Sequence, residues 1–208
     1  MRLFLLGGTG STGTHLIDLG LARGHAVTAF VRSPGKLAPR EGLRVVAGDP
    51  RDAAALAAAM PGHDAVLSCL GPRVPEAFRA STLMRDCAAS TVAAMDRAGV
   101  ARLIIVSAGP LFPGGDWRVK LVRWMLANHY RDLAAMEDVV KCSRATWTIV
   151  RPPKLGRGDD DVYRSARGAM PEDAWSMTYR ALAACMLDVA ERRGGETATF
   201  GLAGKAAA

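Results

Sequence analysis

Leu6-Gly7-Gly8-Thr9-Gly10-Ser11-Thr12-Gly13 decides the fold. Ahead of it, Arg2–Leu6 is a short apolar run of the kind that forms a strand buried on both faces. Behind it, Thr12–Arg23 places Leu16, Ile17, Leu19 and Leu21 at helical spacing and stops at Gly24. A glycine-rich turn between a strand and a helix lets the backbone turn tightly and approach a pyrophosphate, and lets helix and strand pack closely. The stretch satisfies both G-x-G-x-x-G (Gly8, Gly10, Gly13) and G-x-x-G-x-x-G (Gly7, Gly10, Gly13). The backbone N–H groups at the helix start attract phosphate charge, and Thr9, Ser11 and Thr12 add hydroxyls.

Outward from this unit, strand and helix patterns alternate. Strands are expected at Ala26–Val31, Leu43–Ala47, Asp64–Leu70, Arg102–Ser107 and Thr146–Arg151, with Thr197–Phe200 as an edge strand. Helices are expected over Asp52–Met60, Ser81–Ala98, Lys120–Lys141 and Thr178–Arg192. The third of these carries a stripe of Val122, Met125, His129, Leu133, Met136 and Val140. The expectation is an α/β fold: one Rossmann-type, doubly wound parallel sheet over residues 1–208. Substrate loops are expected at about 108–130 and 154–176, both rich in glycine, proline and charge. Trp117 and Trp175 lie in them, and covering the core is the favoured role for each over stacking on a flat ligand.

The second strand ends at Val31-Arg32, with Lys36 four residues on. NAD-binding members of this architecture carry an acidic residue there for the ribose 2′-hydroxyl. An arginine instead grips a 2′-phosphate, so the cofactor expected is NADPH rather than NADH.

Composition narrows the partners. The net charge of +7 invites a nucleic-acid reading, but the basic residues are dispersed and do not alternate with aromatics. No apolar run reaches the length of a membrane span, and Met1–Leu6 breaks at Gly7-Gly8 without a cleavage site. The four cysteines (Cys69, Cys87, Cys142, Cys185) form no CxxC pair or metal-ligand spacing and are expected to be buried small hydrophobes. The chain is therefore expected to be cytoplasmic, a monomer or homodimer, with a small-molecule acceptor and no nucleic-acid, membrane or metal partner.

The glycine turn, Val31-Arg32-Ser33-Pro34 with Lys36-Leu37, Gly48-Asp49, Ser68-Cys69-Leu70-Gly71, Val106-Ser107 and Val150-Arg151-Pro152-Pro153-Lys154-Leu155 occur in this order. The ordered set resembles the NmrA-like, atypical short-chain dehydrogenase/reductase group, and within it the oxidoreductases related to flavin reductase (biliverdin-IX-β reductase). The resemblance covers nearly the whole chain. It implies that Asp49 lies by the adenine, and that Cys69, Leu70 and Gly71 line the adenosine ribose and pyrophosphate. It also implies that Ser107 lies near the nicotinamide, which Pro152, Pro153 and Lys154 close over. On the residues alone, Asp49 is equally a turn or capping residue and Ser107 equally a strand end.

The Tyr-x-x-x-Lys pair of alcohol-oxidising short-chain dehydrogenases is missing: Tyr130 is followed four on by Ala134, Tyr163 by Arg167 and Tyr179 by Ala183. Hydride transfer to a flat conjugated acceptor, such as a flavin or quinone, needs little proton management and fits this deficit. Ser107, Tyr130, Glu137 and Lys154 are the candidate catalytic residues, with His129 a further donor candidate. In the flavin-reductase relatives histidines occupy the positions matching Glu137 and Lys154, a departure that leaves their proton route unsupported here. A core role for His129 and a plain surface charge for Glu137 are the competing readings. The alternative function is a non-catalytic, NmrA-like dinucleotide sensor that binds a partner protein.

Overall fold

The structure is a computed structural model that describes residues 1–71, 79–115, 117–192 and 194–205. Its main sheet has eight strands: β1 (Arg2–Leu6), β2 (Ala26–Val31), β3 (Leu43–Ala47), β4 (Ala65–Ser68), β5 (Arg102–Val106), β6 (Thr146–Arg151), β8 (Tyr163–Arg167) and β10 (Ala198–Gly204). They lie in the order β3-β2-β1-β4-β5-β6-β10-β8, all parallel except β8, which runs antiparallel to β10. The short strands β7 (Lys154–Gly156) and β9 (Ser176–Thr178) pair separately. The order reverses between β1 and β4, so a crevice opens at the carboxyl end of β1, where the glycine turn begins.

Among the described residues six helices cover the faces: α1 (Ser11–Ala22), α2 (Ala53–Ala59), α3 (Leu83–Ala98), α4 (Trp117–Met125), α5 (Ala127–Lys141) and α6 (Tyr179–Glu191). Side chains alternate across each strand, so β1 feeds both layers. Leu3 and Leu5 join Leu16, Ile17, Leu182 and Leu187 on the α1–α6 side. Phe4 and Leu6 join Leu56, Met84, Leu133 and Met136 under α2, α3 and α5. This is the doubly wound single domain the sequence implies.

The helix starts are secured differently. Asp52 caps α2 by accepting from the N–H of Ala54 and Ala55, and Thr178 caps α6 through Ala181. The start of α3 is capped from another helix. Buried Asp132 on α5 accepts from the N–H of Met84 and of Arg85, each at 3.0 Å. No side chain caps α1.

Several expectations need correcting. The helix expected over Lys120–Lys141 is two helices, broken at Leu126 where the backbone leaves helical geometry (φ −107°, ψ 28°). The break turns Val122 and Met125 out to solvent, away from the stripe that Leu133, Met136 and Val140 bury. β10 is longer than the expected edge strand and lies inside the sheet, between β6 and β8. Its glycines explain both points: a Cβ on Gly201 would stand 2.1 Å from the Ala169 carbonyl oxygen, so the strand stays bare where the 168–170 segment crosses it. The expected loop at 154–176 contains three strands, whose charged, half-exposed composition suits a sheet edge and hides their period. Trp117 and Trp175 do not cover the core, being 68% and 56% exposed. Cys142 ends α5 in solvent, whereas Cys87 and Cys185 are buried and Cys69 is half-buried.

Asp132→Ala is expected to lower stability by about 1–3 kcal/mol, because two N–H groups at the start of α3 lose their acceptor. Urea denaturation measures this, and a stability equal to wild type would remove Asp132 from the capping role.

Candidate cofactor and active site

The sequence-identified residues converge on one edge of the sheet. Gly7, Arg32, Gly48-Asp49, Cys69-Leu70-Gly71, Ser107 and Pro152-Pro153 each follow a strand, β1 through β6, at its carboxyl end. The turn after β1 is built so that no side chain fits. A Cβ on Gly13 would stand 2.1 Å from the Gly7 carbonyl oxygen, and one on Gly7 would meet the Cys69 carbonyl at 2.8 Å. Gly7 also has φ +89°, a conformation that favours glycine. The Gly10 N–H closes the turn on the Gly7 oxygen at 2.9 Å. Thr9, Gly10 and Ser11 are exposed on this cradle, while Thr12 and Gly13 are packed beneath it. A bare backbone with uncapped N–H groups at the start of α1 fits a pyrophosphate, so the residues present suit a dinucleotide.

Cys69 holds this corner together as an inert group. Its thiol donates to the Leu6 oxygen at 3.3 Å, and burial pushes its pKa up to about 12. It is a packing residue, with no thiolate to offer.

At the adenosine end, Arg32 and Lys36 are exposed, Lys36 in a short turn that begins at Pro34. Asp49 is engaged by Arg51, whose Nη2 donates to Asp49 Oδ2 at 2.6 Å and whose backbone N–H donates to Oδ1 at 3.0 Å. These bonds, with the charges of Arg51 and Arg32, hold the Asp49 carboxyl at about 2. Asp49 is thus a turn acceptor as well as a cleft residue. The basic pair beside it, Arg32 and Arg51, includes one residue that the sequence reading overlooked. The sole signal for Arg51 was its place two residues after Asp49.

At the other end, buried Ser107, Glu137 and Arg151 form a network that exposed Lys141 joins from the surface. Glu137 is 1% exposed, which overturns its reading as a surface charge. It accepts from Ser107 Oγ at 2.7 Å, from Arg151 Nε at 2.8 Å and Nη2 at 2.6 Å, and from Lys141 Nζ at 2.8 Å. Burial alone would raise its pKa, but the hydrogen bonds from Arg151, Lys141 and Ser107 outweigh that and the net shift is downward. Glu137 is therefore an ionised anchor, unsuited to giving a proton. Ser107 spends its hydroxyl hydrogen on it and presents only lone pairs to a ligand.

Arg151 also underlies the segment after β5, its guanidinium lying 4.4 Å from the centre of the Phe112 ring. The Gly109 N–H donates to the Pro152 oxygen at 2.8 Å, tying the same segment to the end of β6. Of the other candidates, Tyr130 is buried in the α5 layer, which raises its pKa, and Lys154 is exposed on β7. His129 is half-buried against the Tyr130 ring, and burial lowers its pKa despite the charge of Asp132. Neither is joined to the Glu137 network by a described hydrogen bond. Tyr163 is remote from these groups, donating to Asp188 at 2.7 Å. A cleft of about 420 Å³ lined by Arg2, Arg44 and His63 opens at the amino-terminal edge of the strands, opposite the glycine turn.

Glu137→Gln is expected to destabilise the protein by about 3 kcal/mol near pH 7, since it leaves buried Arg151 without its counter-charge. Because the folded carboxyl is shifted below its ordinary 4.5, its contribution is complete above that value and is lost as pH falls through the lowered one. Denaturation of both proteins at pH 7 and at about pH 3 should show the gap closing in acid, and a gap independent of pH would contradict the assignment.

Comparisons with known proteins identify the family. An NAD(P)H-binding family model matches residues 7–193. An uncharacterised sugar epimerase of Bacillus subtilis, YhfK, is 30% identical over 163 residues, covering 74% of this chain and 72% of its own. Among solved structures, ChuY, an anaerobilin reductase from Escherichia coli O157:H7, superposes with a TM-score of 0.81 at 20% identity, covering 100% of this chain and 99% of its own. A short-chain dehydrogenase/reductase from Veillonella parvula in complex with NADP superposes with a TM-score of 0.77 at 19% identity, covering 97% and 94%. The two solved structures are alike in fold, and the family match spans most of the chain from the glycine turn onward: the chain, a Rossmann-fold domain, belongs to the NAD(P)H-binding family.

Proposed function

We propose that the protein is an NADPH-dependent reductase that passes hydride to a flat conjugated acceptor such as a flavin or quinone. The observation that carries this reading is the state of Glu137, ionised and saturated by Arg151, Lys141 and Ser107 at the centre of the catalytic edge. No tyrosine–lysine pair stands on α5, where Tyr130 is followed by Ala134. Reduction or oxidation at a carbinol carbon needs a poised proton carrier. A conjugated acceptor needs mainly to be held against the donor, because it spreads the incoming electron pair through its own ring system.

A reduced nicotinamide held in the crevice would supply the hydride, and its oxidised form would be released. Gly7–Gly13 hold the pyrophosphate, Arg32 with Lys36 and Arg51 hold the 2′-phosphate, and Leu70 and Gly71 border the adenosine ribose. Ser107, fixed by Glu137, accepts from the carboxamide N–H or from the acceptor. Pro152 and Pro153 limit the pocket beside it. The proton that completes reduction comes from solvent or from exposed Lys154. The likeness to ChuY, an anaerobilin reductase, supports the choice of reduction over epimerisation.

Arg32→Glu is expected to weaken NADPH binding about ten- to a hundredfold, the value of one or two charge-assisted hydrogen bonds, with little change for NADH. Equal loss for both would remove Arg32 from the 2′-phosphate. The activity itself is tested by NADPH oxidation with a panel of flavins and water-soluble quinones. Turnover supports the reductase, whereas tight binding without turnover of any acceptor contradicts it and favours a dinucleotide sensor.

A further inference from the structure

Helix α4 has a composition and exposure that the cofactor site does not explain. Its sequence is Trp-Arg-Val-Lys-Leu-Val-Arg-Trp-Met, with three basic residues and no acidic one. Trp117, Leu121, Trp124 and Met125 fall at i, i+4, i+7 and i+8, one face of a helix. All four are exposed, Trp124 at 76% and Trp117 at 68%. On the helical wheel Arg118 and Lys120 flank this face on either side.

The opposite face holds the helix to the protein. Val119 and Arg123 are half-buried, and Arg123 donates from Nη2 to the carbonyl oxygens of Phe112 at 3.0 Å and Gly114 at 3.2 Å. The outward face is also continuous with the second substrate segment. Arg118 stacks between Trp117 and exposed Trp175, 5.5 and 5.7 Å from their ring centres. Helix α4 is thus fixed by its inner side to the wall of the candidate active site, while an aromatic and aliphatic strip points away from it.

We propose that this strip seats the protein on an anionic bilayer surface. Tryptophan prefers the boundary between headgroups and acyl chains, where its ring is apolar and its N–H remains solvated. Flanking arginine and lysine meet lipid phosphates while their stems stay along the apolar strip. A second copy of the chain is a poorer occupant. A two-fold pairing of α4 through this strip would oppose Arg118 and Lys120 with no carboxylate on either helix. No described helix is long and apolar enough to cross a membrane, and lying on one requires no such length. This revises the expectation of no membrane partner, which rested on the absence of a span.

Resting on the reductase reading, the placement also points to the acceptor class. The substrate walls would open at the depth of lipid-dissolved quinones, which makes a membrane quinone the preferred acceptor over a free flavin.

The experiment is flotation of the purified full-length protein with phosphatidylcholine vesicles and with mixed phosphatidylcholine–phosphatidylglycerol vesicles, following tryptophan emission. Binding to the anionic vesicles with a blue shift is expected, weakened by salt. The double variant Leu121→Ser/Trp124→Ser should bind about tenfold or more weakly, with an unchanged melting temperature and NADPH affinity. No binding of the wild type to anionic vesicles would overturn the proposal. So would equal binding by the variant, or self-association in light scattering that the variant abolishes and lipid does not compete with. Oxidation of NADPH by a short-chain, water-soluble quinone tests the reductase reading separately, so either claim can fail without the other.

Discussion

The structure depends first on a contact that leaves no room for a side chain. Gly13, in the first turn of α1, lies so close to the Gly7 carbonyl that a Cβ would overlap it at 2.1 Å. That approach sets the angle at which α1 leaves β1, and with it the direction of the helix's uncapped N–H groups. Gly7 adds the same demand toward Cys69 on the next strand, so the turn is wedged at the point where strand order reverses. The crevice is therefore a consequence of backbone packing before any ligand is considered. Even one methyl group at Gly13 would have to displace both strand and helix.

The second organising interaction is electrostatic. Glu137 is taken almost wholly out of water, a placement tolerable only because Arg151, Lys141 and Ser107 satisfy it. The network joins α5 to the ends of β5 and β6, and through Arg151 reaches Phe112 in the segment after β5. Its chemistry is also restrictive. A carboxylate held by three donors neither gives nor takes protons near neutral pH, and the serine beside it has spent its own. Rigidity at this edge is obtained at the expense of any group there that could exchange protons near neutral pH.

Much of this was legible in the sequence where local rules coincide with tertiary demands. The glycines of the first turn are visible because only glycine satisfies both the turn and the close packing. Ser107 and Pro152 are visible because they end strands. What remained hidden depends on partners distant in the chain. Glu137 reads as a catalytic candidate or a plain surface charge until Arg151 is brought to it by the sheet, and nothing local marks Asp132 as the cap of α3. β8 was obscured by edge-strand charges, and β10 by glycines needed for the crossing of residues 168–170. The two tryptophans were misplaced for a related reason: a large aromatic belongs in the core by default, and nothing local reveals that Trp117 at the start of α4 and Trp175 just before β9 face outward.

The central claim is that the crevice after β1 takes a reduced dinucleotide and that the basic edge after β2 selects its 2′-phosphate. Isothermal titration of the wild-type protein with NADPH and with NADH tests it most directly. The account predicts one NADPH bound per chain, with NADH weaker by about tenfold or more, the value of at least one charge-assisted hydrogen bond. Absence of binding by both cofactors, or a preference for NADH, would contradict it.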